Sequence, residues 1–198
     1  SVGSFTILTL AKLGFENITA VDFDKVELEN IPNQFYRFSD MNKFKVEAIK
    51  EIVKDFSGTD IKIVNKKIDE NNKFVDIVPV DLNTLVVFAL DNIEARKIIY
   101  NELKDIPCMK ILDVRVGGEG SNIYFIDLDK QEAKSNYERL LEAPTSNAVC
   151  GSKFVIYNLL YVASEVCNII KRLDKGEKIP NMLMRDMNGY KIVTDFYN

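Results

Sequence analysis

The polar residues best placed for chemistry open the first predicted helix and end the first predicted strand. Gly3 and Ser4 open that helix, and Asp22 and Asp24 end a β-branched apolar segment. Glycine lets phosphates approach the backbone, and a helix N-terminus offers free N–H groups and a positive dipole. An acid at the end of the following strand is where a dinucleotide-binding unit holds the ribose hydroxyls. Gly3 and Asp22 together therefore favour a nucleotide site over a merely structural acid.

A string of polar residues continues this pattern beyond Asp22. Asn30, Asn33 and Gln34 lie in an irregular polar segment, and Lys45 lies in the next helical segment. Later segments of interest are Leu90-Asp91-Asn92 with Arg96 downstream, Asp113-Val114-Arg115-Val116-Gly117-Gly118-Glu119, and Cys150-Gly151 before a long apolar segment.

In this order, the segments resemble the ubiquitin-activating enzyme superfamily, and specifically its ThiF/MoeB-type adenylyltransferases of the zinc-free subgroup. The resemblance covers residues 1 to about 176. It implies that ATP, with Mg²⁺ and without zinc, activates the C-terminal carboxylate of a ubiquitin-like or sulfur-carrier protein. It also implies a homodimer.

The resemblance implies a role for each residue of the string. Asp22 would hold the ribose, Lys45 would neutralise phosphate charge, and Asp91 would hold Mg²⁺ together with phosphate oxygens. Asp24, Asn30 and Gln34 would complete the nucleotide site. Structural alternatives stay open: Asp91 could cap the helix that follows, Lys45 could be a solvated helix lysine, and Asn30 could be a turn residue.

Two features depart from the family pattern. Asn33 replaces an arginine that precedes the glutamine in the family, which removes one cation from the triphosphate site. Arg37, three residues after Gln34, is a candidate to supply that charge. The glycine-rich loop is also incomplete, because the family's first glycines would precede Ser1.

Cys150 is a candidate nucleophile, because in some relatives a cysteine receives the activated carboxylate as a thioester. The thiolate is the reactive form, and a helix N-terminus or Lys153 could lower the pKa of this thiol. The alternative is a small packed residue at the start of a helix. Cys167 lies among apolar helix residues and is predicted to pack in the core.

Two further functions compete with adenylylation. A catalytically silent partner subunit would keep the fold to build a dimer; Asn33 favours it, whereas Asp22, Lys45 and Asp91 disfavour it. A nicotinamide-dependent dehydrogenase fits the Rossmann-like start. It does not account for the polar string after Asp22 and would ordinarily use an acid or base such as histidine, which the sequence lacks.

Composition narrows these choices. The 198 residues carry a net charge of −4 and have a pI near 5.1, which disfavours nonspecific binding to nucleic acid or an anionic membrane. The absence of histidine excludes Ser-His and Cys-His mechanisms. Three cysteines without a Cys-x-x-Cys pair argue against structural zinc and against a disulfide framework. With no signal peptide or long apolar run, we expect a cytoplasmic protein.

The elements that must position these residues alternate between strands and helices, which predicts an α/β fold with a Rossmann-like, mostly parallel sheet flanked by helices. The predicted helices are 5–13, 43–56, 93–103, 130–141 and 153–173, and the predicted strands are 18–24, 61–64, 84–89, 110–116 and 122–128, with a terminal hairpin of 181–186 and 190–196. We expect one domain, 1–198, with a nucleotide-binding part at about 1–116 and a C-terminal elaboration at about 117–198. The chain begins inside the glycine turn, so a first strand is expected to be missing.

Overall fold

A computed structural model describes residues 2–143 and 156–195. The helices are α1 (Val2–Lys12), α2 (Lys45–Ser57), α3 (Phe74–Ile77), α4 (Ile93–Leu103), α5 (Gln131–Glu142) and α6 (Ile156–Asp174). The strands are β1 (Thr19–Val21), β2 (Lys62–Val64), β3 (Leu85–Phe88), β4 (Lys110–Gly117), β5 (Gly120–Asp127), β6 (Met182–Asp186) and β7 (Lys191–Asp195). They fall into two compact units, which we call the first unit (2–67 with 156–175) and the second unit (68–143 with 176–195).

The first unit combines a pair of parallel strands with three helices. β1 and β2 pair in parallel, with Ala20 opposite Ile63. α1 packs against both α2 and α6, which explains why apolar residues occur all around α1 and not along one stripe. α2 ends at Gly58, whose φ of +75° is the left-handed conformation that glycine adopts without strain. The helix therefore stops where the chain turns into β2.

The second unit is built on a five-stranded sheet in the order β3-β4-β5-β6-β7. β3 and β4 are parallel, with Phe88 opposite Asp113, and the remaining neighbours are antiparallel. α4 connects the two parallel strands, as a βαβ crossover requires. α5 packs on β5 and touches α4. This arrangement places the loop after β3 and the end of β4 at the same edge of the sheet.

The predicted α/β class and Rossmann-type architecture are confirmed. The described strands are not mostly parallel, however: the two parallel pairs lie in the part predicted to bind nucleotide, whereas the three pairings after β4 are antiparallel, including the predicted terminal hairpin. α2 begins two residues later than predicted, because Phe44 is extended and bridges to Lys25. Two 3₁₀ helices, Leu28–Asn30 and Phe38–Asp40, and the short α3 were not predicted. The single-domain organisation stays a prediction.

None of the helices within residues 2–143 and 156–195 combines the length and the apolar character needed to cross a membrane.

Candidate functional site

The loop after β1 brings Asp22, Asp24 and Lys45 together in the first unit. Asp22 follows β1 directly, and its N–H donates to the carbonyl of Val64 at 3.2 Å, which continues the parallel pairing. The Asp22 carboxylate accepts from the Asp24 N–H at 2.8 Å. Lys45, the first residue of α2, bonds Asp24 twice: its Nζ lies 2.8 Å from Oδ2, and its N–H lies 2.8 Å from the carbonyl oxygen.

Lys45 is not a solvated helix lysine. Its side chain is only 13% exposed, whereas that of Lys50 on the same helix is 40% exposed and pairs with Asp60 at the surface. A charge in a sheltered position interacts more strongly with a ligand than one in water does. The structure therefore supports Lys45 as a fixed positive charge beside Asp22 and Asp24.

Burial raises the pKa of Asp22 above its ordinary value, and the Asp24 N–H and the charge of Lys45 oppose that shift. Burial also raises the pKa of Tyr36, and the carboxylates of Asp22 and Asp24 raise it further. Tyr36 thus lies within electrostatic range of both acids. Tyr36 was not among the predicted site residues, although a tyrosine in the polar segment after Gln34 is a visible signal.

Gly3 and Ser4, predicted to bind phosphate, lie in the first turn of α1. Ser4 is buried, and its Oγ accepts from the N–H of Phe35 at 2.9 Å. This bond ties α1 to the segment that carries Asn33 and Gln34. Gly3 is partly exposed, and N–H groups in a first helical turn have no intrahelical partner. The phosphate role of both residues stays a prediction.

The side-chain amides of Asn30, Asn33 and Gln34, in the segment after β1, lie in three different environments. Asn30 is buried at the end of a 3₁₀ helix, where its Oδ1 accepts from the N–H of Glu27 at 2.9 Å. This oxygen therefore stabilises a turn, as the structural alternative for Asn30 proposed. The Asn33 Oδ1 is buried and accepts no hydrogen bond from any residue that the structure describes. Gln34 is partly exposed in the bend that follows.

Arg37 lies in a separate ion cluster. Its guanidinium bonds the buried Asp40 at 3.0 Å, Glu51 at 2.9 Å and Asp55 at 3.1 Å. Three carboxylates already use its donors, and they also raise the pKa of Arg37. We therefore leave Arg37 out of the proposed phosphate site.

The sequence left open whether Asp91 caps α4 or is available to a metal ion, and the structure assigns the cap to its neighbour Asn92. Asn92 caps α4: its Oδ1 accepts from the N–H groups of Glu94 at 2.8 Å and Ala95 at 3.4 Å. Asp91 is exposed and makes no hydrogen bond or ion pair with the described residues. An unengaged carboxylate after a parallel strand is the oxygen ligand that Mg²⁺ prefers when phosphates supply the rest, so Asp91 fits this ion.

Arg96, one turn into α4, holds the loop that carries Asp91. Its Nη2 donates to the carbonyls of Leu90 and of Val114, the latter at 3.1 Å. Its Nε donates to Asp113 at 2.8 Å, and Tyr137 on α5 donates to the same carboxylate at 3.0 Å. The sequence placed Arg96 and Asp113 in motifs but gave them no role, and nothing in it pointed to Tyr137.

Cys150, the candidate nucleophile, lies outside the described residues, so its thioester role stays a prediction. Cys167 is buried in α6, where its Sγ lies 3.6 Å from the carbonyl oxygen of Thr6, and burial raises its pKa to about 12. Cys167 is therefore the packed thiol that the sequence predicted. Asp22, Asp24 and Lys45 belong to the first unit, and Asp91 belongs to the second.

Parallel strands joined to helices, with acids after β1 and β3, define this protein as a Rossmann-type α/β protein. The chain belongs to the ThiF family, whose family model matches residues 1–183. It is 33% identical over 105 residues to the NEDD8-activating enzyme E1 catalytic subunit of Arabidopsis thaliana, covering 50% of this chain and 21% of the relative. It is 31% identical over 112 residues to ubiquitin-like modifier-activating enzyme 5 of Aedes aegypti, covering 50% of this chain and 27% of that relative.

Solved structures share the fold over almost the whole chain. Crystallised PaaA superposes with a TM-score of 0.72 at 17% identity, covering 98% of this chain and 69% of PaaA. MccB of E. coli, crystallised with MccA, superposes with a TM-score of 0.76 at 13% identity, covering 98% of this chain and 60% of MccB. At such identities the likeness concerns the fold. This chain spans 21% and 27% of the two curated relatives, and 69% and 60% of these two structures.

Proposed function

We propose that this chain adenylylates the C-terminal carboxylate of a ubiquitin-like or sulfur-carrier protein, with ATP as the co-substrate. The observation that carries the proposal is the arrangement after β1, where the partly buried Asp22 lies beside Lys45, a lysine held at 2.8 Å by Asp24. A carboxylate suits the two ribose hydroxyls, and a sheltered lysine suits phosphate charge. Membership of the ThiF family supports the same chemistry.

The reaction asks little covalent work of the protein. An oxygen of the substrate carboxylate attacks the α-phosphorus of ATP, and a new P–O bond forms. The bond from the α-phosphorus to the oxygen that bridges to the β-phosphorus breaks, and pyrophosphate leaves with that electron pair. An acyl adenylate remains, and no proton has to move. Positioning and charge neutralisation therefore supply the catalysis.

Lys45 has a resting partner in Asp24 and gains a stronger one when phosphates bind. Nζ can turn from Asp24 toward the nucleotide without leaving its sheltered position, because the backbone bond between the two residues keeps the start of α2 in place. Asp91 would hold Mg²⁺, which neutralises phosphate charge when bound. Asn92 and Arg96 keep the Asp91 loop in place by their bonds to the backbone.

The partner is proposed from the names of the relatives. The curated relatives are activating enzymes for NEDD8 and for a ubiquitin-like modifier, and MccB has been crystallised with MccA and with ATP. These names favour a protein or peptide substrate with a free carboxylate. A homodimer remains part of the proposal.

A silent partner subunit is the second candidate, and one observation favours it. Asn33 stands where the family has an arginine, and Arg37 is held by three carboxylates. The described residues around Gln34 therefore offer no free arginine to a triphosphate. Lys45 and Asp91 favour the active enzyme over this alternative, because a silent subunit has no need of either.

Pyrophosphate exchange separates the two candidates. Labelled pyrophosphate is incubated with the protein, ATP, Mg²⁺ and either MccA peptide or purified ubiquitin-like proteins, and incorporation of label into ATP is measured. We expect exchange that requires a carrier, and we expect Lys45→Ala and Asp91→Asn each to lower it about 100-fold or more, as loss of a preorganised charge does.

Two matched variants serve as controls for the exchange assay. Lys50→Ala removes an exposed lysine of α2, and Glu94→Gln removes an exposed acid two residues after Asn92, the helix cap of α4. Both should keep exchange within about twofold, because exposed ion pairs contribute little. If the folded wild-type protein binds no ATP, the silent-subunit function replaces adenylylation.

A further inference from the structure

A buried ion cluster in the second unit carries one more positive than negative charge. The Asp113 side chain on β4 is 0% exposed and lies 2.8 Å from Nε of Arg96 and 2.8 Å from Nε of Arg115. Tyr137 donates the third hydrogen bond at 3.0 Å. One carboxylate therefore balances two guanidinium groups. Buried charge is costly unless it is paired, so the second arginine requires an explanation.

The two arginines differ in how far their donors are used. Arg96 donates through Nε to Asp113 and through Nη2 to two backbone carbonyls. Arg115 donates through Nε to Asp113, but its Nη2 is buried and bonds none of the residues that the structure describes. Buried donors without an acceptor are rare in folded proteins. The Arg115 side chain as a whole keeps 21% of its surface exposed.

Arg115 lies beside the Asp91 loop. The same Nη2 of Arg96 bonds the carbonyls of Leu90 and Val114, which are the residues directly before Asp91 and Arg115. Asp91 follows β3, and Arg115 lies in β4 two residues beyond Asp113, the last residue that pairs with β3. Ligands of open α/β sheets bind at that edge.

A groove lies next to two residues that contact this ion cluster. It has a volume of about 370 Å³ and lies between α5 and strands β5 and β6 of the same unit. Tyr124 and Tyr137 line it, and they also contact the ion cluster: the Tyr124 ring lies 5.4 Å from the Arg115 guanidinium, and Tyr137 bonds Asp113. Asn181 lines the groove as well, and its Nδ2 is a second buried donor that bonds none of the described residues.

We propose that the groove binds the C-terminal segment of the substrate, that Asn181 donates to a peptide carbonyl, and that Arg115 pairs with the terminal carboxylate. This inference rests on the proposed function, because adenylylation needs a carboxylate held near the nucleotide. A planar guanidinium matches a carboxylate, and the two tyrosine rings suit the chain that leads to it. Arg115 is thus a substrate-binding residue, and the site selects peptides with a free C-terminus.

The first test is direct binding, observed by nuclear magnetic resonance. The Arg115 Nε–H resonance of ¹⁵N-labelled protein is assigned by its loss in Arg115→Gln. Acetylated tetraglycine with a free carboxylate is then added, followed in a second sample by its C-terminal amide. We expect the acid to shift the resonance and the amide to leave it unchanged. Equal shifts, no shift, or a shift produced by ATP alone and not by the acid would overturn the inference.

The second test uses the exchange assay with the carrier that supports it. Arg115→Gln should raise KM for the carrier about tenfold or more, the effect of losing a charge-assisted hydrogen bond, and leave the Kd for ATP unchanged. Arg115→Lys keeps a cation for Asp113 but loses the planar guanidinium. Its KM should therefore lie between the values of the wild type and of Arg115→Gln. Circular dichroism confirms that each variant is folded.

Lys97→Gln is the control. Lys97 is a cation on α4 of the same unit that does not line the groove and pairs with Glu94 at the surface. An equal rise in KM in this variant, or an unchanged KM in Arg115→Gln, contradicts the assignment. If wild-type exchange is absent while the acid still shifts the Arg115 resonance, the carboxylate site stands and the adenylylation proposal fails.

Discussion

Asp22, which we propose to hold the ribose, lowers the stability of the folded chain when its carboxyl group is ionised. Burial raises the pKa of its carboxyl group, so the folded chain holds the proton more tightly than the unfolded chain does. By linkage, ionised Asp22 lowers the free energy of unfolding above the ordinary range of aspartate pKa values, and this loss grows as the pH rises through the folded pKa. At neutral pH the carboxylate is retained despite this loss, which agrees with a role in binding.

Asp22→Asn should therefore raise the melting temperature at pH 7 and weaken ATP binding. The amide oxygen can still accept from the Asp24 N–H, while the burial of a charge disappears. The gain should shrink as the pH falls toward 4, where wild-type Asp22 also becomes neutral. Loss of a charged hydrogen bond to the ribose predicts an ATP Kd about tenfold or more higher.

Differential scanning calorimetry across pH 4–8 and titration calorimetry with ATP measure these two effects. Asp60→Asn is the control, because Asp60 is fully exposed and its pKa is lowered by Lys50, the opposite shift. A lower melting temperature for Asp22→Asn at pH 7, or an unchanged Kd, would contradict the interpretation.

At this scale the sequence predicted the residues next to regular elements and missed those defined by distant contacts. Asp22 and Lys45 follow a strand and begin a helix, so their meeting could be expected. Ser4 bonds the amide of Phe35, and Tyr137 bonds Asp113 from another element, and no local pattern encodes either contact. Its spacing from Gln34 made Arg37 a candidate for phosphate binding, but its guanidinium pairs with Glu51 and Asp55 of α2.

At the start of α4, the residue that caps the helix also determines which neighbouring side chain is left available to a ligand. Asp91 and Asn92 are both good N-caps by type, so the sequence could not assign the cap. The structure gives it to Asn92, which leaves Asp91 unengaged at the end of the preceding loop. The identity of the capping residue thus decides which side chain is available to a ligand.

Asn92→Ala should lower the free energy of unfolding by about 1 kcal/mol, because two N–H groups of α4 lose their acceptor. Urea denaturation measures the change. Asn101→Ala, an exposed position on the same helix where the side chain bonds Lys104 alone among the described residues, should stay within about 0.5 kcal/mol of wild type. If the two variants lose equal stability, Asn92 is not an energetically significant cap.

The long periodic elements were the most predictable. α4 has the predicted bounds, and no end of α5 or of the terminal hairpin differs from its prediction by more than one residue. The sequence predicted no elements between β1 and α2, because the 3₁₀ helices there are each three residues long and are held by the Asn30 and Asp40 side chains. Such short turns have no hydrophobic period to detect.

For the whole molecule, the main surprise is that the first unit is discontinuous in sequence. α6 comes late in the chain, yet it packs on α1, and Cys167 reaches the carbonyl of Thr6 at 3.6 Å. The predicted nucleotide-binding part, residues 1–116, does not include this helix, which spans Ile156–Asp174. The scaffold behind Gly3 and Ser4 therefore depends on residues that sequence order assigns to the C-terminal elaboration.

Paired substitutions on α6 test this dependence. Leu159 is 3% exposed and its neighbour Leu160 is 49% exposed, so the same change can be made on the buried and the open side of one helix turn. Leu159→Ala should lower the free energy of unfolding by about 2–5 kcal/mol, and Leu160→Ala should change it by less than about 0.5 kcal/mol. Hydrogen exchange provides the decisive measurement: Leu159→Ala should reduce amide protection in α1, far away in sequence, and Leu160→Ala should not. Equal protection of α1 in both variants would show that α6 does not support the first helix, and the nucleotide-binding scaffold would then have to be sought in the N-terminal residues alone.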